Sequence, residues 1–294
     1  MGSSKIEDVV RQQLHPEDLG LKLEKLPGGE WSIASPQVFL PDELVPALRE
    51  AGFEPMEALA YLATELKVGE RTIPYSMIAG LAGPPRRYPE LAGLGGSDVL
   101  LNQWTADKLE AGLGDRLEMT FYEYLPGGRQ ATGNAAFTVT GILPMSGLGA
   151  DRALLPPFPG LHDAETCDSW DAGVELDLSL IGPDDEAYWK QYRGSPKAII
   201  ALTGAKRYWA TRAGSLTGLR LAGDVRREQV VAALAEGLAP EVTGIAVEPV
   251  AAQARLAVDQ AMDMSGLMLG FGFFLIVAAL LLAGAGTTLA VRAR

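Results

Sequence analysis

The sequence predicts an α+β fold: a split β-β-α-β domain interrupted by a mostly-β lobe, then a stalk helix and one apolar membrane helix. Three observations carry this. Alternating hydrophobicity spells β-β-α-β near both ends of residues 1–250. Pro84, Pro85, Pro89, Gly93, Gly95 and Gly96 mark a boundary near residue 85, beyond which the pattern changes. Leu267–Val291 then runs 25 residues without a charged side chain.

In chain order, residues 19–26 and 31–40 read as strands joined at Pro27-Gly28-Gly29. Pro41 opens a helix through DELVPALREAG, with Asp42 and Glu43 at its positive end and Gly52 as its stop. PMEALAYLATEL (55–66) alternates like a long strand, although its Ala and Leu content leaves a helix open. A turn at residues 67–70 leads to a strand in RTIPYSMIAGL. After the boundary come a strand from Asp98, a short helix from Asn102 to Leu113, and a strand from Arg116. AAFTVTGILPM (135–145) should pair with that last strand, antiparallel, through Pro126-Gly127-Gly128. Residues 146–196 are turn-rich and acidic, with few regular elements expected.

KAIIALT (197–203) and LTGLRL (216–221) read as strands. Asp224 can N-cap VRREQVVAALAEGL, whose Val230, Val231, Leu234 and Leu238 make one apolar face before Gly237 and Pro240 end it. GIAVEPV (244–250) completes the second β-β-α-β. The division is therefore 1–83 and 197–250 as two halves of one domain, 84–196 as an inserted lobe, 251–266 as stalk and 267–291 as span. The stalk has no breaker after Pro249, so it can run into the span as one stiff helix.

As a helix the apolar run reaches ~37 Å, enough to cross a ~30 Å hydrocarbon core. Asp259 and Asp263 precede it and Arg292 and Arg294 follow. All 37 acidic residues lie before it, and of the 25 Lys and Arg only those two arginines lie after it. Basic residues favour the cytoplasmic side, so the bulk of the chain should be periplasmic or extracellular and the C-terminus cytoplasmic. The N-terminus is polar and lacks an apolar leader core. Either the last segment inserts as a reverse signal-anchor or an earlier span precedes this chain, and we expect the latter. Within the run, Gly266 and Gly270 form a G-x-x-x-G pair, and Ala279, Ala283 and Gly286 are further small residues on which a second helix could pack.

A net charge of -12 argues against a nucleic-acid partner. One cysteine excludes an intrachain disulfide framework. No nucleophile-elbow, zincin, P-loop or well-placed dinucleotide motif is present, and His15 and His162 are the only histidines, so no catalytic, cofactor or metal residues are assigned. One polar cluster, Asp151, His162, Asp163, Glu165, Cys167, Asp168 and Asp171, reads either as a Ca²⁺ or transition-metal site or as a solvated acidic loop. The lack of EF-hand spacing favours the loop. Paired carboxylates for glycoside hydrolysis are an open alternative in any acidic chain, Asp163, Glu165 and Asp171 being the residues to change. Trp170, Tyr188, Trp189, Tyr192, Tyr208 and Trp209 either line a ligand groove or close a lobe.

Taken together, the split halves, stalk and FGFFLIVAALLLAG span resemble the FtsX-like, MacB-type permease subunits of ABC transporters, the lipoprotein-releasing type included. Local matches are LHPEDLGL (14–21), TIPYSMIAGL (72–81), GILPMSGLGADRALLPPFPGLHDAETCDSWD (141–171) and DEAYWKQYRGSPKAIIAL (185–202). The resemblance implies a periplasmic core with a porter-like domain in 6–83 and 197–250 and a Sabre-like insertion in 84–196. The span at 267–291 would be the second of four, in an inner membrane. It further implies a cytoplasmic ATPase subunit, a second permease subunit, a lipid bilayer and a lipoprotein or amphipathic cargo as partners. The stalk would carry motion outward from ATP hydrolysis. The chain contains no nucleotide site and no catalytic residue of that family to carry over. A single-pass, membrane-anchored binding protein is the alternative.

Overall fold

A computed structural model describes residues 15–125, 129–156, 158, 160–161, 164–171, 176–237 and 250–293. They fall into two compact units, residues 15–237 and the C-terminal helix.

The first unit is built on nine strands among the described residues: β1 (Lys22–Lys25), β2 (Trp31–Ala34), β3 (Met56–Val68), β4 (Arg71–Ala82), β5 (Asp98–Asn102), β6 (Arg116–Leu125), β7 (Arg129–Leu143), β8 (Ala198–Ala201) and β9 (Gly218–Leu221). Their order is β1-β2-β9-β3-β4-β8-β5-β7-β6, with a further pairing of β6 back onto β3. That pairing closes six strands, β3, β4, β8, β5, β7 and β6, into a ring. Within it β4–β8 and β5–β7 are parallel and the other contacts antiparallel.

Alternation explains why these segments are strands. In β7 the residues Gly133, Ala135, Phe137 and Val139 are buried and their neighbours outward; in β6 Leu117, Met119 and Phe121 do the same. The segment 56–60 is buried on both faces, including Glu57, whose carboxylate pairs with Arg49. Here the strand alternative for PMEALAYLATEL holds and the helix does not. Leu59, Leu66, Ile73, Leu101, Leu117, Phe121 and Ile200 belong to one buried cluster.

The helices of this unit are α1 (Leu44–Glu50), α2 (Gln103–Leu109), α3 (Pro183–Tyr192), α4 (Leu202–Trp209) and α5 (Arg227–Gly237). α1 packs against α5, and Leu44, Leu48, Val230 and Leu234 extend the same cluster. α1 starts at Leu44 rather than Pro41. Pro46 in its first turn is tolerated, because N–H groups there have no intrahelical acceptor. α2 is shorter than expected: the Asn102 side chain caps it by accepting from Thr105 N–H at 2.9 Å, and Glu110 ends it in the left-handed region at φ 49°.

Several expectations are corrected. The first strand is only Lys22–Lys25, because Pro16–Leu19 form a 3-10 turn closed by Gly20 at φ 66°. The second ends at Ala34, short of the expected residue 40. KAIIALT is split, since β8 gives way at Leu202 to α4, which was not anticipated; nor was α3. Strands from 84–196 share one sheet with both flanks: β5 lies between β8 and β7, and β6 pairs with β3. The expected strand 244–250 and the turn at 126–128 lie outside the described residues, except Val250, which is helical.

The second unit is one helix, α6 (Val250–Arg292), 43 residues without interruption. Stalk and span are therefore continuous, as the absence of a breaker predicted, over about 65 Å at 1.5 Å per residue.

Candidate functional site

Two places invite function, one in each unit, and they are described separately.

In α6 the stretch Gly266–Arg292 is long and apolar enough to cross a membrane, and its most apolar window is wholly unburied. Phe273, Phe274, Leu275, Leu281 and Leu282 are each more than 60% exposed, an arrangement that water would penalise and hydrocarbon would not. The hydroxyls of Thr287 and Thr288 both donate to the Gly284 carbonyl, at 2.9 and 2.7 Å, so neither brings an unsatisfied donor into the apolar stretch. At about 100° per residue, Gly266 and Gly270 share one face, while Ala279, Ala283 and Gly286 lie on nearly the opposite one. The small residues thus form two patches. A Cβ added at Gly266, Gly270 or Gly286 would meet nothing within 4 Å. Asp263 and Arg292 stand about 44 Å apart along the axis, with Asp259 one turn further out; Arg294 lies outside the described residues.

In the first unit the site arises from a fork in strand pairing. β9 pairs with β3 only at Met56–Ala58, and β6 pairs with the same edge only from Ala63 to Lys67. Between them the edge has no strand partner, although Ala60 N–H donates to Thr217 Oγ1 at 2.8 Å. The divergence leaves a cavity of about 450 Å³ beside Ala60–Leu62, walled by Phe39, Tyr122 and Phe158 and by Arg207–Thr211 at the end of α4. This lies within the ~300–1,000 Å³ range of small-molecule sites. The Tyr61 ring stacks on Trp209 (4.9 Å between centroids, 1° between planes), and Phe121 meets Trp209 edge-on at 5.5 Å. Tyr61 Oη donates to the Tyr122 carbonyl, holding the wall across the fork. Trp209 Nε1 is buried with no hydrogen-bond partner among the described residues.

The predicted aromatic group therefore divides. Tyr208 and Trp209 line this cavity; Trp170 and Trp189 pack edge-to-face at 4.8 Å over Cys167, and Tyr188 packs against Tyr192 and Trp104.

Beneath those last rings is a buried polar node. Lys197 Nζ meets Asp185 Oδ1 at 3.2 Å and lies 4.9 Å from the Trp104 ring centroid and 5.3 Å from that of Tyr188. Burial pushes the Lys197 ammonium below the usual lysine range, and the Asp185 carboxylate opposes that shift. Asn102 joins the node to the sheet through donor contacts from its Nδ2 to Tyr188 Oη (2.9 Å) and the Pro196 carbonyl (3.0 Å). The Tyr188 hydroxyl donates to the Ser195 carbonyl and is shifted upward, chiefly by burial. Each polar group found here has a structural partner, so the node reads as scaffold.

Among the described residues no group of three or more His, Cys, Asp or Glu fit for a metal occurs. Asp151 pairs with the buried Arg220, which also reaches Glu30 at 3.6 Å. Cys167 is 1% exposed in an apolar pocket with Ala164 and Trp189, and burial pushes its thiol well up. Glu186 accepts from the Cys167 N–H at 3.0 Å; burial raises its carboxyl, but that bond and Lys190 outweigh it and leave a net downward shift. Glu165 and Asp171 face solvent. His162 and Asp163 lie outside the described residues, as does the Asp168 side chain.

No protein-family model matches the sequence, and no curated protein matches it. Among solved structures, the crystal structure of the periplasmic region of MacB from Actinobacillus actinomycetemcomitans is similar, at 11% identity and a TM-score of 0.36, over 70% of this chain and 75% of that chain. A likeness of that size decides neither fold nor function.

Proposed function

We propose that this chain is the extracytoplasmic domain and a membrane helix of an ABC transporter permease subunit, acting without catalysis of its own. The observation that carries the reading is α6: an unbroken 43-residue helix whose C-terminal 27 residues form the candidate span and whose N-terminal turns extend beyond it. A helix that leaves the bilayer without a breaker transmits displacement along its axis, whereas a Gly/Ser tether would absorb it. The charges flanking the span favour a cytoplasmic C-terminus in the inner membrane and an outward-facing first unit. The family resemblance of residues 141–202 and of the span supplies the remaining parts: a cytoplasmic ATPase subunit, a second permease subunit packed on the small residues of α6, and a lipoprotein or other amphipathic cargo. The porter-like and Sabre-like assignments rest on that resemblance alone.

The test is ATP turnover in membranes containing the full gene product and its ATPase subunit, with and without residues 15–237. Turnover should change several-fold on deletion; indifference to the deletion would sink the coupling.

A second reading, a single-pass membrane-anchored binding protein, is favoured by the cavity beside β3. Purification from membranes separates the two. The permease reading requires an ATPase subunit to copurify, and the binding-protein reading requires that none does.

A further inference from the structure

The cavity at the fork of β3 holds two charges with no ionic partner among the described residues. Arg207 is exposed at its mouth, its guanidinium 5.8 Å from the Tyr208 ring centroid, and it forms no ion pair among the described residues. Glu123 lines the same cavity from β6 and also forms no ion pair among the described residues. Its position is unusual: it stands two residues beyond the fully buried Phe121, on the face of β6 that Leu117, Met119 and Phe121 turn to the core. That face is otherwise apolar, and Glu123 is half-buried on it, so its carboxylate is partly stripped of water where no cation answers it among the described residues. The rest of the lining is mainly aromatic. An apolar hollow with one cation and one anion on its wall is complementary to an apolar body bearing one group of each sign.

We propose that this cavity binds a small zwitterion with an aromatic body, a free aromatic α-amino acid, its carboxylate at Arg207 and its ammonium at Glu123. The ring of such a ligand lies against Tyr208 and Phe39, and the volume admits one residue of that size with room to spare. Arg suits the carboxylate because its planar fork offers paired donors. This assignment goes beyond the permease reading and holds or falls separately from it, since it concerns occupancy of the first unit and not ATP turnover.

The probe is free p-benzoyl-L-phenylalanine, a zwitterion whose benzophenone crosslinks on irradiation, applied to the full chain in lipid nanodiscs and mapped by peptide mass spectrometry. Label is expected on residues 60–62 and 207–211, and Ala210→Trp, which fills the mouth from an exposed position, should abolish it. Arg207→Gln should weaken labelling by the free amino acid and its N-acetyl form roughly tenfold while sparing its amide. Glu123→Gln should weaken the free amino acid and the amide and spare the N-acetyl form. Circular dichroism of each variant checks that the fold is kept. Label confined to 250–293, label indifferent to Ala210→Trp, or loss with Ala210→Trp but indifference to both charge changes would each overturn the proposal. In the last case the cavity takes apolar molecules without reading their charge.

Discussion

At the scale of single residues the Lys197–Asp185 pair is the most consequential contact in the first unit. Both side chains are close to fully buried, at 6% and 10% exposed, so the pair exchanges two hydration shells for one contact and a bed of aromatic faces. Lys197→Met leaves the Asp185 carboxylate without its counter-charge and should cost about 3–5 kcal/mol; Lys197→Met with Asp185→Leu should recover most of it. Thermal unfolding of the chain in detergent, followed by near-UV circular dichroism, measures both. The pH dependence has a definite sign. The folded chain releases the Lys197 proton at lower pH than the unfolded chain, so unfolding takes a proton up in that interval. Stability from this group therefore rises with pH toward the ordinary lysine value of ~10.4, and the rise should vanish in Lys197→Met. None of this was legible beforehand: Asp185 falls in a segment expected to be irregular, and Lys197, 12 residues on, at the start of an expected strand. The cysteine was half legible. One thiol excluded a disulfide, but its apolar burial between Trp189 and Ala164 came only from packing.

Among the elements, the contact of β4 with α4 sets the tightest tolerance. A Cβ at Gly80 would stand 2.1 Å from the Cβ of Ala205, so the helix sits on the strand only because that side chain is a hydrogen. Gly80→Ala should destabilise the chain by about 1–3 kcal/mol, and Ala205→Gly added to it should restore part of the loss despite glycine's own cost in a helix. Melting temperatures of the two single variants and the double variant decide it; additive losses would show that no such clash exists. Both helices that sequence reading missed had different reasons for escaping it. α3 carries the usual start signal, Pro183 at its first position and Asp184, Asp185 and Glu186 in its first turn, and could have been read. α4 abuts β8 with no linker and contains Thr203 and Gly204, so local propensity does not mark it.

At the scale of each whole unit, α6 is governed by solvent and the first unit by closure. Arginine at mid-span costs ~2.5–3.5 kcal/mol per residue on insertion scales, so Leu275→Arg with Leu281→Arg should move the chain from the carbonate-resistant membrane fraction to the soluble or degraded pool. Leu256→Arg with Val258→Arg, at exposed positions in the stalk, should not. Retention of the span variant in the membrane would show that these residues are not the bilayer contact.

What the chain declares by itself is whatever depends on neighbours a few residues apart. The uncharged run at 267–291 declares a helix long and apolar enough to cross a membrane, the absence of a breaker after Pro249 a continuous helix, and the alternation of 135–145 a strand that pairs with the one from Arg116. The tertiary structure alone decided that β6 returns to β3 to close a ring, that segment 84–196 shares its sheet with both flanks, and that a cavity opens where β9 and β6 part. It also decided that Asp151 pairs with the buried Arg220 while Glu165 and Asp171 face solvent. The reason is range: hydropathy and periodicity act within a turn or a strand, whereas ring closure joins Ala63 to Phe121 across the chain and is selected by the packing of the whole core at once.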